Sequence, residues 1–170
     1  MTKPPAAPDS SSPLPDSILS QLSMAEMIVR SPFCKHQEVR ILREESEQIM
    51  MALPYKACFA TRKGEGMHTG VVTALFDTCL GAAVGARLPR IMSMATLDLR
   101  IDHIRPCDPQ KGLTVRASCT FIEPPIAYVK GEIWHDDPDI PIATAVAAFA
   151  LSEIDEMTSR YKSRMQESRS

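Results

Sequence analysis

Little in this sequence of 170 residues points to a nucleic-acid-binding, disulfide-stabilised or membrane-spanning protein. The net charge is −2, so the chain lacks the basic surface that nucleic-acid binding requires. The five cysteines occur singly, without a CxxC pair and without a preceding apolar signal segment, which argues against a disulfide framework or a zinc site. The most apolar stretch, 71–86, contains Asp77 and ends before Arg87, so it is too short and too charged to cross a bilayer.

What remains is the composition of an ordinary globular protein. Hydrophobic residues make up 44% and charged residues 24% of the chain, and the length fits one domain. The four histidines show no metal-ligand spacing, so we expect neither a metal nor a cofactor. With unpaired cysteines and no membrane segment, we expect a cytoplasmic protein that binds neither nucleic acid nor membrane.

The two ends of the chain differ in composition from the middle. Residues 1–15 hold five prolines and a serine run, which is typical of a disordered tail. The domain is predicted over 16–151, and its first helix is expected to start at Asp16 or Ser17 and to end near Ser31-Pro32. Residues 152–170 carry acidic residues first and basic residues last, which predicts a C-terminal helix capped by Ser152.

The middle of the chain predicts one long buried helix. One or two strands are expected between Glu38 and Leu53, followed by a loop over 54–67 marked by proline and glycine. The helix is predicted over 71–86 because its apolar residues recur at helical spacing: Val72, Leu75, Phe76, Cys79, Leu80, Ala83 and Val84. Its opposite face carries small residues that allow another backbone to approach closely: Gly70, Ala74, Thr78, Gly81 and Gly85.

Four strands are predicted after this helix, over 95–104, 114–121, 127–134 and 142–151. In the first of them Ala95, Leu97, Leu99 and Ile101 alternate with Thr96, Asp98, Arg100 and Asp102, a period of two. In the third, Gly131 suggests a bulge. The fourth is almost wholly apolar, which is typical of a strand covered on both faces. The order predicts an α+β fold in which an antiparallel sheet wraps a central helix, and a second subunit that shares the burial, with sheet edges as a plausible contact.

Asp77 is the most unusual residue of the predicted helix. It lies in the middle of an apolar segment, and no Lys or Arg stands three or four residues away to pair with it. An unpaired carboxylate on a buried helix costs several kcal/mol unless a partner satisfies it. Two interpretations stay open: a catalytic carboxylate, or one that bonds a backbone group or a distant arginine across an interface.

The start of the same helix offers a second candidate feature, residues 66–70. The first amide N–H groups of a helix have no internal partner and lie at the positive end of its dipole, so they can bind a polarised carbonyl oxygen. His68 lies just before the first turn. Taken alone, this histidine is better explained as a capping or structural residue than as a catalytic one.

These residues also carry a family resemblance. Residues 68–78 read HTGVVTALFDT, which resembles the H-G-G-x(6)-D segment of hotdog-fold thioesterases of the phenylacetate (PaaI) type. Residues 95–106 read ATLDLRIDHIRP, which resembles the T-x-D-L-x-I-x-Y-L-R-P strand of that family. The stretches at Gly131 and Ala143 are similar to its last two strands, so the resemblance covers about 37–151.

The resemblance implies a hotdog fold, with five or six antiparallel strands around the helix, and dimers, often paired into tetramers, with active sites between subunits. It implies hydrolysis of an acyl-CoA, with Asp77 as general base or nucleophile. The Thr69 amide would polarise the thioester carbonyl opposite the Asp77 of a neighbouring subunit. The remaining site residues that we expect on this basis are His68 and Gly70 in the catalytic motif, with Thr96, Thr73, Gly81 and Arg62 in substrate binding.

Two departures from the family pattern keep other functions open. Thr69 stands where the family usually has glycine, and Thr61 and Arg62 stand where it often has an Asn or Gln that orients the attacking water. Arg62 and Lys63 could contact CoA phosphates or be solvated loop charges. The alternatives are a non-catalytic acyl-CoA-binding hotdog protein and a structural hotdog protein in which Asp77 forms an interface salt bridge.

Overall fold

A computed structural model describes residues 22–153, which form three α-helices, a short 3-10 helix (Ala57–Phe59) and six strands. The helices are α1 (Met24–Val29), α2 (Pro32–Gln37) and α3 (Thr69–Arg87). The strands are β1 (Arg40–Glu44), β2 (Ile49–Leu53), β3 (Ser93–His103), β4 (Leu113–Glu123), β5 (Ile126–Trp134) and β6 (Ala143–Ser152). The predicted tail 1–15 and all but the first two residues of the predicted C-terminal helix lie outside the described residues. Ser152, its predicted cap, is the last residue of β6.

The first helix of the described chain is shorter than predicted. α1 begins after Ser23, whose hydroxyl accepts a hydrogen bond from the Glu26 N–H while the Glu26 carboxylate accepts one from the Ser23 N–H. This capping box satisfies two helix-terminal amides and fixes the start of α1, so a continuous helix from Asp16 or Ser17 is wrong. Those two residues themselves lie outside the described part. α1 ends near the predicted Ser31, but this serine also caps α2, a helix that was not predicted.

The six strands form one antiparallel sheet in the order β1-β2-β4-β5-β6-β3. α3 lies across one face of the sheet and packs mainly on β4, β5 and β2. The hotdog arrangement is therefore confirmed. All seven apolar residues of the predicted stripe on α3 are buried. α3 is long and apolar enough to cross a membrane, since its mean hydropathy is 1.4. Its apolar residues nevertheless pack against the sheet, as those of the core helix of a globular protein do.

The four predicted strands are confirmed to within two residues at each end, but two details differ. Only one face of β6 is buried, and on its other face Val146 is 51% exposed. The prediction that β6 is covered on both faces is therefore wrong within one chain. Gly131 does not mark a bulge, because it pairs in regular register with Ala117 and Ala145.

Gly131 is needed instead for close packing. A Cβ atom at this position would lie 2.8 Å from the carbonyl oxygen of Arg116 and 3.1 Å from Cδ2 of Leu80 on α3. We expect Gly131→Ala to lower the free energy of unfolding by about 1–3 kcal/mol, because the strand or the helix must shift. Urea unfolding measures this. Gly81→Ala is the matched control: its Cβ would lie 3.6 Å from the Phe149 ring, so equal destabilisation by both variants would contradict the packing explanation.

Candidate active site

The N-terminus of α3 presents one free amide. His68 caps the helix, and its Nδ1 accepts a hydrogen bond of 3.0 Å from the Gly70 N–H. The Val71 N–H donates to the His68 carbonyl at 2.9 Å. The Thr69 N–H has no acceptor among residues 22–153. Of the predicted catalytic residues at this helix end, Gly70 already donates its N–H to a hydrogen bond within the chain. The N–H of Thr69 is free to donate to a ligand at the positive end of the helix dipole.

Asp77 lies on the exposed side of α3 and has a partner. The Thr96 hydroxyl donates a hydrogen bond of 2.7 Å to Oδ1 of Asp77. The expectation of a buried and unpaired carboxylate is therefore wrong for the single chain, since Thr73 and Asp77 both lie on an exposed face of the helix. What stands out about Asp77 is its place: it lies beside β3, with one carboxylate oxygen held by a hydroxyl group.

The strand beside Asp77 is an open edge of the sheet. β3 pairs only with β6 on one side, and no strand of residues 22–153 pairs with its other side. Its side chains are largely uncovered: Leu97 is 57% exposed, and Leu99 and Ile101, which pair with buried residues of β6, are themselves only partly buried. Charged side chains such as Asp98 and Arg100 alternate with these apolar residues, but the unpaired backbone groups of such an edge are still a template for a further strand.

The free amide and the carboxylate of one chain are too far apart to act on one carbonyl group. Thr69 and Asp77 are separated by eight residues of continuous α-helix, which corresponds to about 12 Å along the helix axis. Between them lies Thr73, whose hydroxyl donates to the Thr69 carbonyl at 3.1 Å and shares the exposed face with Asp77. A reaction that uses both groups requires two copies of α3.

A cavity of about 440 Å³ opens next to Thr69. Its other lining residues are Gly66, Met67, Val72, Ile142 and the segment 103–107 that follows β3. Among these described residues two are basic, His103 and Arg105, and none carries a carboxylate. These two basic residues were not assigned to the site from the sequence, although both lie in the strand motif that carried the family resemblance.

Cys107 also lines this cavity, but it is not a nucleophile at neutral pH. Burial, reinforced by the neighbouring charge of Asp108, raises the pKa of the Cys107 thiol to about 11. The thiolate is the reactive form of cysteine, and a thiol with this pKa is almost wholly protonated near pH 7. Cys107 is therefore not a candidate nucleophile of this cavity.

Two predicted substrate-binding residues, Gly81 and Arg62, do not line the cavity beside Thr69. Gly81 is buried in the core, where a Cβ atom would face the Phe149 ring, so it lines no open surface. Arg62 lies on an exposed turn closed by hydrogen bonds from Thr61 N–H to the Gly66 carbonyl and from Gly64 N–H to the Thr61 carbonyl. The other predicted residues fall into three places: His68, Thr69 and Gly70 lie at the helix start, Asp77 and Thr96 lie at the β3 edge, and Thr73 lies between them on the exposed face of α3.

Fold and site together define a hotdog protein with an amide donor and a carboxylate on its central helix. The thioesterase superfamily model matches residues 65–142. A solved protein from Pseudomonas aeruginosa is 30% identical, with a TM-score of 0.67 over 74% of this chain and 95% of that one. The chain belongs to the thioesterase superfamily. Members of this superfamily are generally thioester hydrolases.

More distant structures share the fold. The Escherichia coli PaaI protein from the phenylacetic acid degradation operon is 16% identical, with a TM-score of 0.65 over 75% of this chain and 88% of that one. A Haemophilus influenzae thioesterase is 17% identical, with a TM-score of 0.66 over 75% of this chain and 87% of that one. A search of curated proteins found no match.

Proposed function

We propose that this protein hydrolyses an acyl-CoA to the free acid and CoA, at a site that two subunits share. The observation that carries the proposal is the pair of groups on α3: an unpartnered N–H at Thr69 and a carboxylate at Asp77, about 12 Å apart along one helix. Two copies of the helix running in opposite directions would bring the amide of one chain opposite the carboxylate of the other. The cytoplasm, where acyl-CoA esters occur, is the proposed location.

The amide of Thr69 would bind the thioester carbonyl oxygen. As the carbonyl carbon is attacked, negative charge develops on this oxygen, and the N–H together with the helix dipole stabilises it. One such donor typically contributes about 3 kcal/mol at the transition state. His68 would support this role indirectly, since it engages the Gly70 N–H and fixes the first turn of the helix.

Asp77 of the partner subunit would drive the attack on the thioester carbonyl carbon. As a general base it takes a proton from water, and the resulting hydroxide adds to the carbonyl carbon before the C–S bond breaks and CoA leaves as the thiol. As a nucleophile it adds to the carbonyl carbon, the C–S bond breaks and CoA leaves as the thiolate, and water then hydrolyses the acyl-enzyme anhydride to the free acid while the thiolate takes up a proton. Both routes end in free acid and CoA. In both, the hydrogen bond from the Thr96 hydroxyl orients the carboxylate.

The open edge of β3 supports a homodimer. Pairing of the two β3 edges would satisfy their unpaired backbone groups, cover Leu97 and bring the Asp77 side of each α3 to the subunit boundary. Hotdog thioesterases form oligomers, and a pair of such dimers would give a tetramer. We expect dissociation to remove activity, because neither chain then holds both groups of one site.

The basic lining beside Thr69 suits a CoA ester. Arg105 has no carboxylate partner among the described residues, and its guanidinium donates to the Pro141 carbonyl, which leaves other N–H groups free. CoA carries phosphate groups that such donors bind well. The cavity residues Arg105 and His103 therefore join Arg62 as our candidates for contact with the substrate, together with Thr73 near the reacting group.

A non-catalytic acyl-CoA-binding protein is the second candidate function. It is favoured by Thr61 and Arg62, which stand where the family often has a water-orienting Asn or Gln. Such a protein would bind CoA esters saturably and release no thiol. In a purely structural protein, replacement of Asp77 would lower oligomer stability and affect no activity.

The experiment that separates these functions is a thiol-release assay across short-chain, long-chain and aryl CoA esters, with Asp77→Ala as control. We expect turnover of at least one ester by the wild-type protein and none above background by Asp77→Ala. Calorimetric titration with the same esters runs in parallel. Saturable binding without thiol release from any ester would identify the binding protein and refute hydrolysis.

A further inference from the structure

The peptide group between Cys107 and Asp108 is held from both of its sides. Its carbonyl oxygen accepts a hydrogen bond of 3.3 Å from the Met67 N–H. Its N–H, which belongs to Asp108, donates to Nε2 of His135 at 2.9 Å. The other ring nitrogen of His135, Nδ1, lies 2.7 Å from the Gly112 carbonyl oxygen. Because Nε2 accepts a hydrogen bond and a carbonyl oxygen can only accept one, the ring must be neutral and carry its proton on Nδ1.

The same peptide group links His135, which directly follows β5, to the start of α3. Met67 immediately precedes His68, the cap of the helix, and His68 precedes Thr69, whose N–H is the proposed oxyanion donor. Met67 and Cys107 both line the cavity beside Thr69, so the hydrogen bond between them fixes the segment before the helix against the cavity wall. His135 does not line this cavity, so its effect on a bound ester must pass through the peptide group.

We propose that His135 is a positioning residue for the Thr69 amide. This inference rests on the proposed hydrolysis and deepens it. The neutral ring of His135 fixes the plane of the 107–108 peptide group, and the carbonyl of that group fixes Met67 and thereby the direction of the free N–H at the start of α3. An oxyanion donor is effective when it is aimed at the oxygen before the reaction begins. Loss of the His135 ring would leave the amide present but less well aligned.

Three substitutions test this role. His135→Phe keeps an aromatic ring and removes both hydrogen bonds, and we expect kcat for CoA esters to fall by about tenfold. His135→Gln is expected to retain most of the wild-type kcat, because its side-chain oxygen can accept from the Asp108 N–H. Asp136→Asn is the matched control. It removes the ion pair with Lys111 next to His135 but leaves the peptide group untouched, so we expect wild-type kcat.

A double-mutant cycle with Thr69→Pro separates positioning of the amide from a general loss of stability. Thr69→Pro removes the amide, so His135→Phe should lower kcat in that background by less than about twofold. An equal loss in both backgrounds would show that His135 acts independently of the amide and would overturn the inference. So would an undiminished kcat in His135→Phe, or a loss in Asp136→Asn equal to that in His135→Phe.

A spectroscopic measurement on the wild-type protein covers the case in which His135→Phe does not fold. The nitrogen chemical shifts of the His135 ring at neutral pH should show a protonated Nδ1 and an unprotonated Nε2. The opposite tautomer or a doubly protonated ring would exclude the hydrogen bond from Asp108 and overturn the inference. A wild-type protein that turns over no CoA ester would instead refute the proposed hydrolysis itself.

Discussion

Asp77→Asn is expected to lower kcat for acyl-CoA hydrolysis by about 10²–10⁴-fold, the range that general acid–base groups contribute. The amide has nearly the same size as the carboxylate, and its oxygen can still accept the hydrogen bond from Thr96. The variant should therefore keep its fold, its oligomeric state and its affinity for the substrate. What it loses is the negative charge that takes a proton from water or attacks the carbonyl carbon. Thiol release under saturating substrate measures the effect.

Asp98→Asn is the matched control for this change. Asp98 is an exposed carboxylate on the same edge strand, but it pairs with Ala148 on the outer face of the sheet, away from α3. We expect wild-type kcat and KM for this variant. If Asp77→Asn retained more than a tenth of wild-type kcat, the carboxylate would have no chemical role, and the structural interpretation of Asp77 would gain support.

Thr69→Pro is expected to lower kcat by about 10²–10³-fold, because it removes the one free N–H group at the start of α3. The backbone at this position suits proline. Thr69 is the first residue of the helix, where proline is favoured and where the missing N–H breaks no hydrogen bond of the fold. His68 before it has φ −62° and ψ 128°, the extended conformation that a residue before proline prefers.

Thr69→Ala serves as the control, since it removes the side chain and keeps the amide. We expect its kcat to stay near the wild-type value. Thermal unfolding of both variants checks that the helix start is intact. Equal activity of Thr69→Pro and wild type would show that no carbonyl oxygen binds this amide, whereas an equal loss in Thr69→Ala would assign the effect to the side chain.

The structure could be predicted best from the sequence where a repeating apolar pattern coincides with the burial of many apolar side chains. The apolar stripe of α3 recurs over several turns, and each of its residues becomes buried, so both the helix and its orientation could be predicted. The four strands after it were predictable because alternation and turn residues agree. Asp77 stood out for the same reason: a charge within a regular apolar pattern breaks it visibly.

The details of the site depend on local geometry that produces no repeating pattern in the sequence. The pairing of β3 with β6 skips Leu97, which forms a β-bulge within a sequence that alternates without interruption, so the bulge could not be predicted. The use of the Gly70 amide depends on the rotamer of His68. The exposure of Asp77 follows from how far α3 extends over the sheet, because α3 packs on β4, β5 and β2 and leaves the β3 edge open.

The proposal that each site combines the Thr69 amide of one chain with the Asp77 carboxylate of another can be tested by mixing two inactive variants. Thr69→Pro and Asp77→Asn chains are co-expressed with different affinity tags, and the heterodimer is isolated by sequential purification. One of its two sites then combines the intact amide of one chain with the intact carboxylate of the other. A reciprocal heterodimer pairs a wild-type chain with a chain that carries both substitutions, and it contains no intact shared site.

Thiol release by these two heterodimers is the decisive measurement. If each site draws on both subunits of a symmetric dimer, the first heterodimer regains about half of wild-type turnover and the reciprocal one stays inactive. If both groups acted within one chain, the first heterodimer would be inactive and the reciprocal one would keep about half. That second result would contradict the shared site.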